Sequence, residues 1–132
     1  GYIAIADGAR PLVTPELIAQ TVQAARKYRA AAPAVQVKDT IKVVENGIVT
    51  DTPDRATLRA VQTPQVFEAD LIKGALTNAI EKKLPLTDDC SAVEAMGFPV
   101  HLIEGSYENL KITTREDLAL AEAFLAARGV RK

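Results

Sequence analysis

A carboxylate, a glycine and a guanidinium stand within five residues, Asp7-Gly8-Ala9-Arg10-Pro11, and this stretch is the best equipped for chemistry in the chain. It follows a short apolar run, Tyr2 to Ala6, with the length and boundary of a buried strand. In open α/β sheets, ligands collect in the crevice beyond the carboxyl ends of the strands. An Asp placed there can hold a divalent cation, Gly8 permits a sharp turn, and Arg10 can grip a phosphate with its planar fork. Taken alone, the pentapeptide also reads as an ordinary turn, with Asp7 as a local cap and Arg10 as a solvated charge.

Other reactive side chains are less promising. Asp88 and Asp89 form an acidic pair that invites a metal reading, but acids are favoured at helix starts, and the cap reading is preferred. His101, the only histidine, lies inside an apolar run and reads as a sheet histidine rather than a base or ligand. Cys90, the only cysteine, excludes an internal disulfide and suits a reducing cytoplasm.

The elements that must position these residues follow from local patterning. Thr14-Pro15-Glu16 is a helix start, and Leu17, Ile18, Thr21, Val22 and Ala25 recur at helical spacing to a stop near Tyr28. The second half of Ala30–Val37 is predicted to be a strand, which makes strand, helix, strand a βαβ unit with parallel pairing. Thr40–Glu45 and Ile48–Thr50 flank Asn46-Gly47, a strong hairpin signal. A hairpin inside an α/β pattern projects as an arm of the kind that serves dimers, or is a plain surface hairpin. From Glu68, the positions Leu71, Ile72, Ala75, Leu76, Ala79 and Ile80 form a helical stripe that ends at Lys82-Lys83. Thr87 or Asp88 caps a short helix over Ser91–Met96 that Gly97 stops, and Phe98–Glu104 is predicted as a strand. Asn109–Thr113 reads as a short strand or strand edge. Thr114 and Asp117 have capping-box spacing before a last helix, Leu118–Ala127, which Gly129 ends.

Composition narrows the function classes. The chain has 132 residues, 48% hydrophobic and 25% charged, the balance of one compact α/β unit with no internal repeat or low-complexity tract. The formal charge of −1 supplies no basic field for nucleic acid or an anionic membrane, so any anion site must be built from a few placed cations. No apolar run approaches the roughly 18 residues of a membrane span.

Six stretches in order carry a family resemblance: Asp7-Gly8-Ala9-Arg10-Pro11, Asp39-Thr40-Ile41-Lys42, Asp54-Arg55, Gln62-Thr63-Pro64-Gln65-Val66-Phe67, Thr87-Asp88-Asp89-Cys90-Ser91 and Asn109-Leu110-Lys111-Ile112-Thr113. Together they resemble the 2-C-methyl-D-erythritol 4-phosphate cytidylyltransferase family of the non-mevalonate isoprenoid pathway. Ribitol 5-phosphate cytidylyltransferases share several of the pieces and remain an alternative, as does a non-catalytic dimerisation module derived from such an enzyme. The resemblance implies a Rossmann-like nucleotidyltransferase fold with residues 38–60 as an inserted β-hairpin dimerisation arm. It also implies transfer of CMP from CTP to methylerythritol 4-phosphate around Mg²⁺, in a cytoplasmic homodimer that uses neither nucleic acid nor membrane.

By motif match, Asp7 sits at the nucleotide and Mg²⁺ site, and Lys111 neutralises phosphate charge in the transition state. The same match places Arg10 and Thr63 at the acceptor and has Thr40 and Arg55 reach the acceptor phosphate from the arm of the neighbouring subunit, while Asn109 falls where related sugar nucleotidyltransferases use an Asn near the metal. Ala6 stands where the family usually has His, and no Gly-rich triphosphate loop precedes Asp7. The expectation is therefore a C-terminal part of the nucleotidyltransferase domain that is inactive by itself.

Overall fold

The structure is a computed structural model that describes residues 1–130. Among these residues, seven strands and four α-helices follow in the order β1 (Tyr2–Ile5), α1 (Pro15–Tyr28), β2 (Ala30–Gln36), β3 (Val43–Glu45), β4 (Ile48–Asp51), β5 (Arg59–Val61), β6 (Gln65–Glu68), α2 (Ala69–Glu81), α3 (Asp89–Glu94), β7 (His101–Glu104) and α4 (Arg115–Val130). A 3-10 turn, Arg55–Thr57, precedes β5.

The main sheet is built around β2, whose residues 30–34 are all buried. Burial on both faces accounts for its unbroken run of small apolar residues, since neither face needs a polar set. Ala30 and Ala32 pack with Phe67, Leu71, Ile72, Ala75 and Val93 of β6, α2 and α3. Ala31 and Val66 face the other way, onto Ala25 and Val22 of α1. The period of two thus splits alternate residues of one strand between two helical layers.

Strand order corrects the expected βαβ unit. β1 pairs antiparallel with β6, and β6 pairs antiparallel with β2, so β1 and β2 run parallel but do not touch. The parallel partner of β2 is β7, in the register Ala31↔His101 to Ala34↔Glu104. Ala31 also pairs with Val66 of β6 and Ala34 with Val61 of β5, so β5 and β6 share the edge opposite β7. Between them the chain is interrupted at Gln62–Pro64, where the Thr63–Pro64 peptide is cis.

Pro33 lies inside β2, which therefore extends over more of the run than expected. Its carbonyl accepts from Gln62 N at 2.8 Å, so its nitrogen faces the same interruption and no ladder bond is lost.

Helix boundaries follow their caps. Thr14 Oγ1 accepts from Leu17 N at α1, and Asp88 Oδ1 accepts from Ser91 N at α3, which settles the acidic pair in favour of a cap. At α4 the capping box is reciprocal, with Thr114 Oγ1 accepting from Asp117 N and Asp117 Oδ2 accepting from Thr114 N, both at 3.1 Å. The helix continues through Gly129 to Val130 rather than ending at the glycine.

The hairpin β3–β4 forms a sheet of its own, turned at Asn46 (φ 50°) and Gly47 (φ 76°). Both central residues have positive φ, as a two-residue turn matched to strand twist requires. All of residues 38–52 are exposed, so the segment stands away from the core. His101 is half-buried and stacks on Tyr28, ring centres 3.7 Å apart, as a sheet histidine would.

Candidate functional site

The turn after β1 and the loop after β7 meet at one end of the sheet. Gly8 and Ala9 form the turn, with Arg10 N donating to Asp7 O at 3.0 Å and Ala9 N donating to Asp7 Oδ1 at 2.9 Å. One oxygen of Asp7 thus caps its own turn, and the other faces Lys111 Nζ at 3.7 Å. The Ala9 N–H is the main cause holding the Asp7 carboxyl below the ordinary carboxylate range; burial opposes it, and Lys111 and Arg10 reinforce it. The Asp7–Lys111 pair is half open to water, so it adds little to stability and stays accessible to an incoming anion.

Arg10 lies between turn and loop. Its Nη1 donates to Asn109 O at 2.7 Å, and its Nε is buried with no hydrogen-bond partner. Desolvation lowers its pKa, partly offset by Asp7, so this cation is less fully hydrated than an ordinary surface arginine. An anion at that position gains more from it than from a solvated side chain.

Asn109, expected beside the metal, is only 1% exposed. Its Nδ2 donates to Thr63 O at 2.9 Å and to Gln62 Oε1 at 3.3 Å, while Oδ1 is enclosed without a partner. Asn109 therefore ties the loop to the interruption between β5 and β6. The expected strand at Asn109–Thr113 is a loop instead, because its backbone is used elsewhere, with Ile112 N donating to Ala9 O at 2.7 Å.

Two glutamines hold the site and were not singled out by their chemistry. Gln62 Nε2 donates to Ser106 O at 2.8 Å, and its Oε1 accepts from Ser106 N and Asn109 Nδ2. Gln65 Nε2 donates to Asp88 Oδ2, and its Oε1 accepts from Cys90 N, both at 3.0 Å. Both are buried, and the available signal was two uncharged polar residues bracketing Thr-Pro beside an apolar strand. A cavity of about 320 Å³ opens here, lined by Asp7, Gly8, Thr63, Thr87, Asp88 and Asp89 among others.

Gly105 makes this packing possible. A Cβ there would lie 2.5 Å from Gln62 Oε1 and 3.1 Å from the Ala34 backbone. Gln62 is held on both sides of its amide and cannot swing away freely. Gly105→Ala is expected to destabilise the protein by about 1–3 kcal/mol, read as a lower urea midpoint at unchanged slope. An unchanged midpoint would show that the glutamine network gives way at no cost.

A profile of the 2-C-methyl-D-erythritol 4-phosphate cytidylyltransferase family matches residues 1–127. The chain belongs to this family. It is 57% identical over 124 residues to the protein of that name from Caldanaerobacter subterraneus subsp. tengcongensis, covering 93% of this chain and 55% of that protein. Against the protein of the same name from Desulforamulus reducens it is 54% identical over 127 residues, covering 96% and 54%. The crystal structure of the Thermus thermophilus cytidylyltransferase superposes with a TM-score of 0.84 at 39% identity, covering 93% of this chain and 61% of that one. The Francisella tularensis structure gives a TM-score of 0.86 at 30% identity, covering 92% and 58%. The chain thus spans about half the length of the curated relatives it matches.

Of the residues expected in a cytidylyltransferase site, Asp7, Arg10, Thr63, Asn109 and Lys111 come together through the contacts above. Thr40 and Arg55 do not join them. Arg55 Nη1 donates to Lys38 O, and the residue lines a separate cavity of about 380 Å³ with Gln36, Val37, Asp54, Ala56 and Arg59. Thr40 is exposed in the segment leading to the hairpin. Among the described residues no helix is long and apolar enough to cross a membrane.

Proposed function

We propose that the protein transfers the cytidylyl group of CTP to the phosphate of 2-C-methyl-D-erythritol 4-phosphate and releases pyrophosphate. The observation that carries this reading is the opposition of Asp7 and Lys111 at 3.7 Å beside the partly desolvated Arg10. In the reaction an oxygen of the acceptor phosphate bonds to the α-phosphorus of CTP. The bond from that phosphorus to its bridging oxygen breaks, and the electron pair leaves with pyrophosphate. The acceptor oxygen is already ionised at neutral pH, so no general base is needed, and positioning and charge neutralisation do the work.

The donor set fits a magnesium ion that arrives with the triphosphate. Asp7 is an ionised carboxylate, and among the described residues no group of three His, Cys, Asp or Glu side chains could cage a metal. Mg²⁺ takes few protein ligands and keeps water and phosphate oxygens for the rest. Asp7 would hold it, and when bound it supplies neutralisation of the phosphate oxygens. Asn109 is too enclosed to face a hydrated ion directly and is assigned to fixing the loop that bears Lys111. Lys111 meets the charge that develops on the transferring group, Arg10 binds the acceptor, and Thr63 lines its cavity.

The hairpin is assigned to a homodimer. Ile41, Val43, Val44, Ile48 and Val49 are 40–70% exposed, a run of apolar side chains that a second copy would cover. The arm would then carry Thr40 and Arg55 to the acceptor phosphate in the neighbouring subunit. Arg55→Ala in the intact protein is expected to raise the acceptor KM about ten- to a hundredfold without changing the mass of the dimer. Equal loss of kcat and dimer mass would instead make Arg55 a structural residue of the arm.

The decisive assay is pyrophosphate release by the intact protein from CTP and methylerythritol 4-phosphate with Mg²⁺, with ribitol 5-phosphate offered in parallel. Turnover restricted to ribitol 5-phosphate would move the protein to the neighbouring specificity. No turnover with either acceptor would leave the arm as a dimerisation module.

A further inference from the structure

The loop that carries Lys111 touches the root of the arm through Tyr107. Tyr107 Oη donates to Gln36 O at 2.8 Å, and Lys38 Nζ lies 3.8 Å from the centre of the Tyr107 ring. The Lys38 carbonyl in turn accepts from Arg55 Nη1, and Gln36 lines the Arg55 cavity. One aromatic side chain therefore joins the loop to Lys38, which anchors Arg55, and to Gln36, which lines the cavity beside it.

The two sides of this contact are not equally firm. The loop is pinned independently by Gly105 N to Ala34 O, Gln62 Nε2 to Ser106 O, and Asn109 Nδ2 to Thr63 O, all at 2.8–2.9 Å. Residues 38–42 of the arm root are exposed and lie outside every strand. Tyr107 is the fixed point and the arm root is the part it holds.

We infer that Tyr107 is a positioning residue that sets where the arm leaves β2, and hence where Thr40 and Arg55 are delivered. This rests on the cytidylyltransferase reading above for its effect on catalysis, although the contact itself does not. Tyr107 acts through Gln36 and Lys38 and touches no reacting group. Losing it frees the arm and leaves the loop bearing Lys111 in place, so acceptor binding weakens while the chemical step is unaffected.

The test compares Tyr107→Ala and Tyr107→Phe in the intact protein, with both substrates varied and amide hydrogen exchange followed over residues 37–42. Tyr107→Ala is expected to raise the acceptor KM about tenfold, with kcat and the CTP KM within about twofold of wild type. Exchange at the arm root should accelerate. Tyr107→Phe, which keeps the ring under Lys38, should show a smaller change in both. An unchanged acceptor KM overturns the inference, as does a fall in kcat alone, which would make the ring a brace for Lys111. If wild type turns over neither acceptor, the cytidylyltransferase reading fails separately, and exchange decides: unchanged rates at the arm root overturn the positioning role and faster rates support it. Should Tyr107→Ala not fold, Lys38→Met removes the cation over the ring and must produce the same pair of shifts.

Discussion

Lys111→Ala will lower kcat about a hundred- to a thousandfold and leave stability within about 0.5 kcal/mol of wild type. The two halves of that expectation have separate causes. Lys111 is half exposed and meets Asp7 at 3.7 Å, a distance and exposure at which an ion pair adds little to the fold. Yet the loop that bears Lys111 is held by Gln62 and Asn109, so the backbone from which the ammonium extends is fixed in advance. A cation placed in advance where charge develops stabilises the transition state without reorganisation. Single-turnover pyrophosphate release separates this from a binding effect. A kcat within about threefold of wild type would remove Lys111 from the chemical step, and a large loss of stability would make the ion pair structural.

Asp7→Asn will cost about a hundredfold or more in kcat and raise the Mg²⁺ concentration needed for half-maximal rate. Asparagine keeps an oxygen for the Ala9 N–H at 2.9 Å, so the turn survives and the loss is one of charge. The pH dependence has a defined sign. The Asp7 carboxyl lies below the ordinary carboxylate range, first because of the Ala9 N–H. It is therefore ionised throughout neutral pH. Any stability this shift contributes is fully present above the unfolded-state value and is lost as pH falls through the lower folded-state value. From about pH 5 to 8 the wild-type rate should show no acid limb belonging to Asp7. A limb near neutrality that disappears in Asp7→Asn would contradict this assignment.

Much of the fold could be read from neighbouring residues. The Thr14 and Asp88 caps, the capping box at Thr114 and Asp117, and the Asn46-Gly47 turn are each decided within about four residues, and all are present. The six stretches that carry the family resemblance were legible in the same way, since each is a run of adjacent residues. Gly129 misled because a glycine near a helix end is a common stop, yet the helix runs on through it to Val130. Asn109–Thr113 misled for a different reason. Its residue types suit a strand, but Arg10 and Ala9 engage its backbone from the far end of the chain.

Sequence alone determined the helix caps, the Asn46-Gly47 turn and the family, but the strands β5 and β6 were not among the expected elements. Only the tertiary structure decided that β6 lies between β1 and β2, and that Arg10 meets Asn109 across 99 positions. It alone shows Thr40 and Arg55 standing apart from the other expected site residues in a single chain. The physical reason is that caps and turns are satisfied by hydrogen bonds to near neighbours, whereas strand order and site assembly depend on burying surfaces that are distant in sequence. Asp7 and Lys111 carry no local mark of each other. They meet because β1 and β7 are both referred to β2, one through β6 and the other directly.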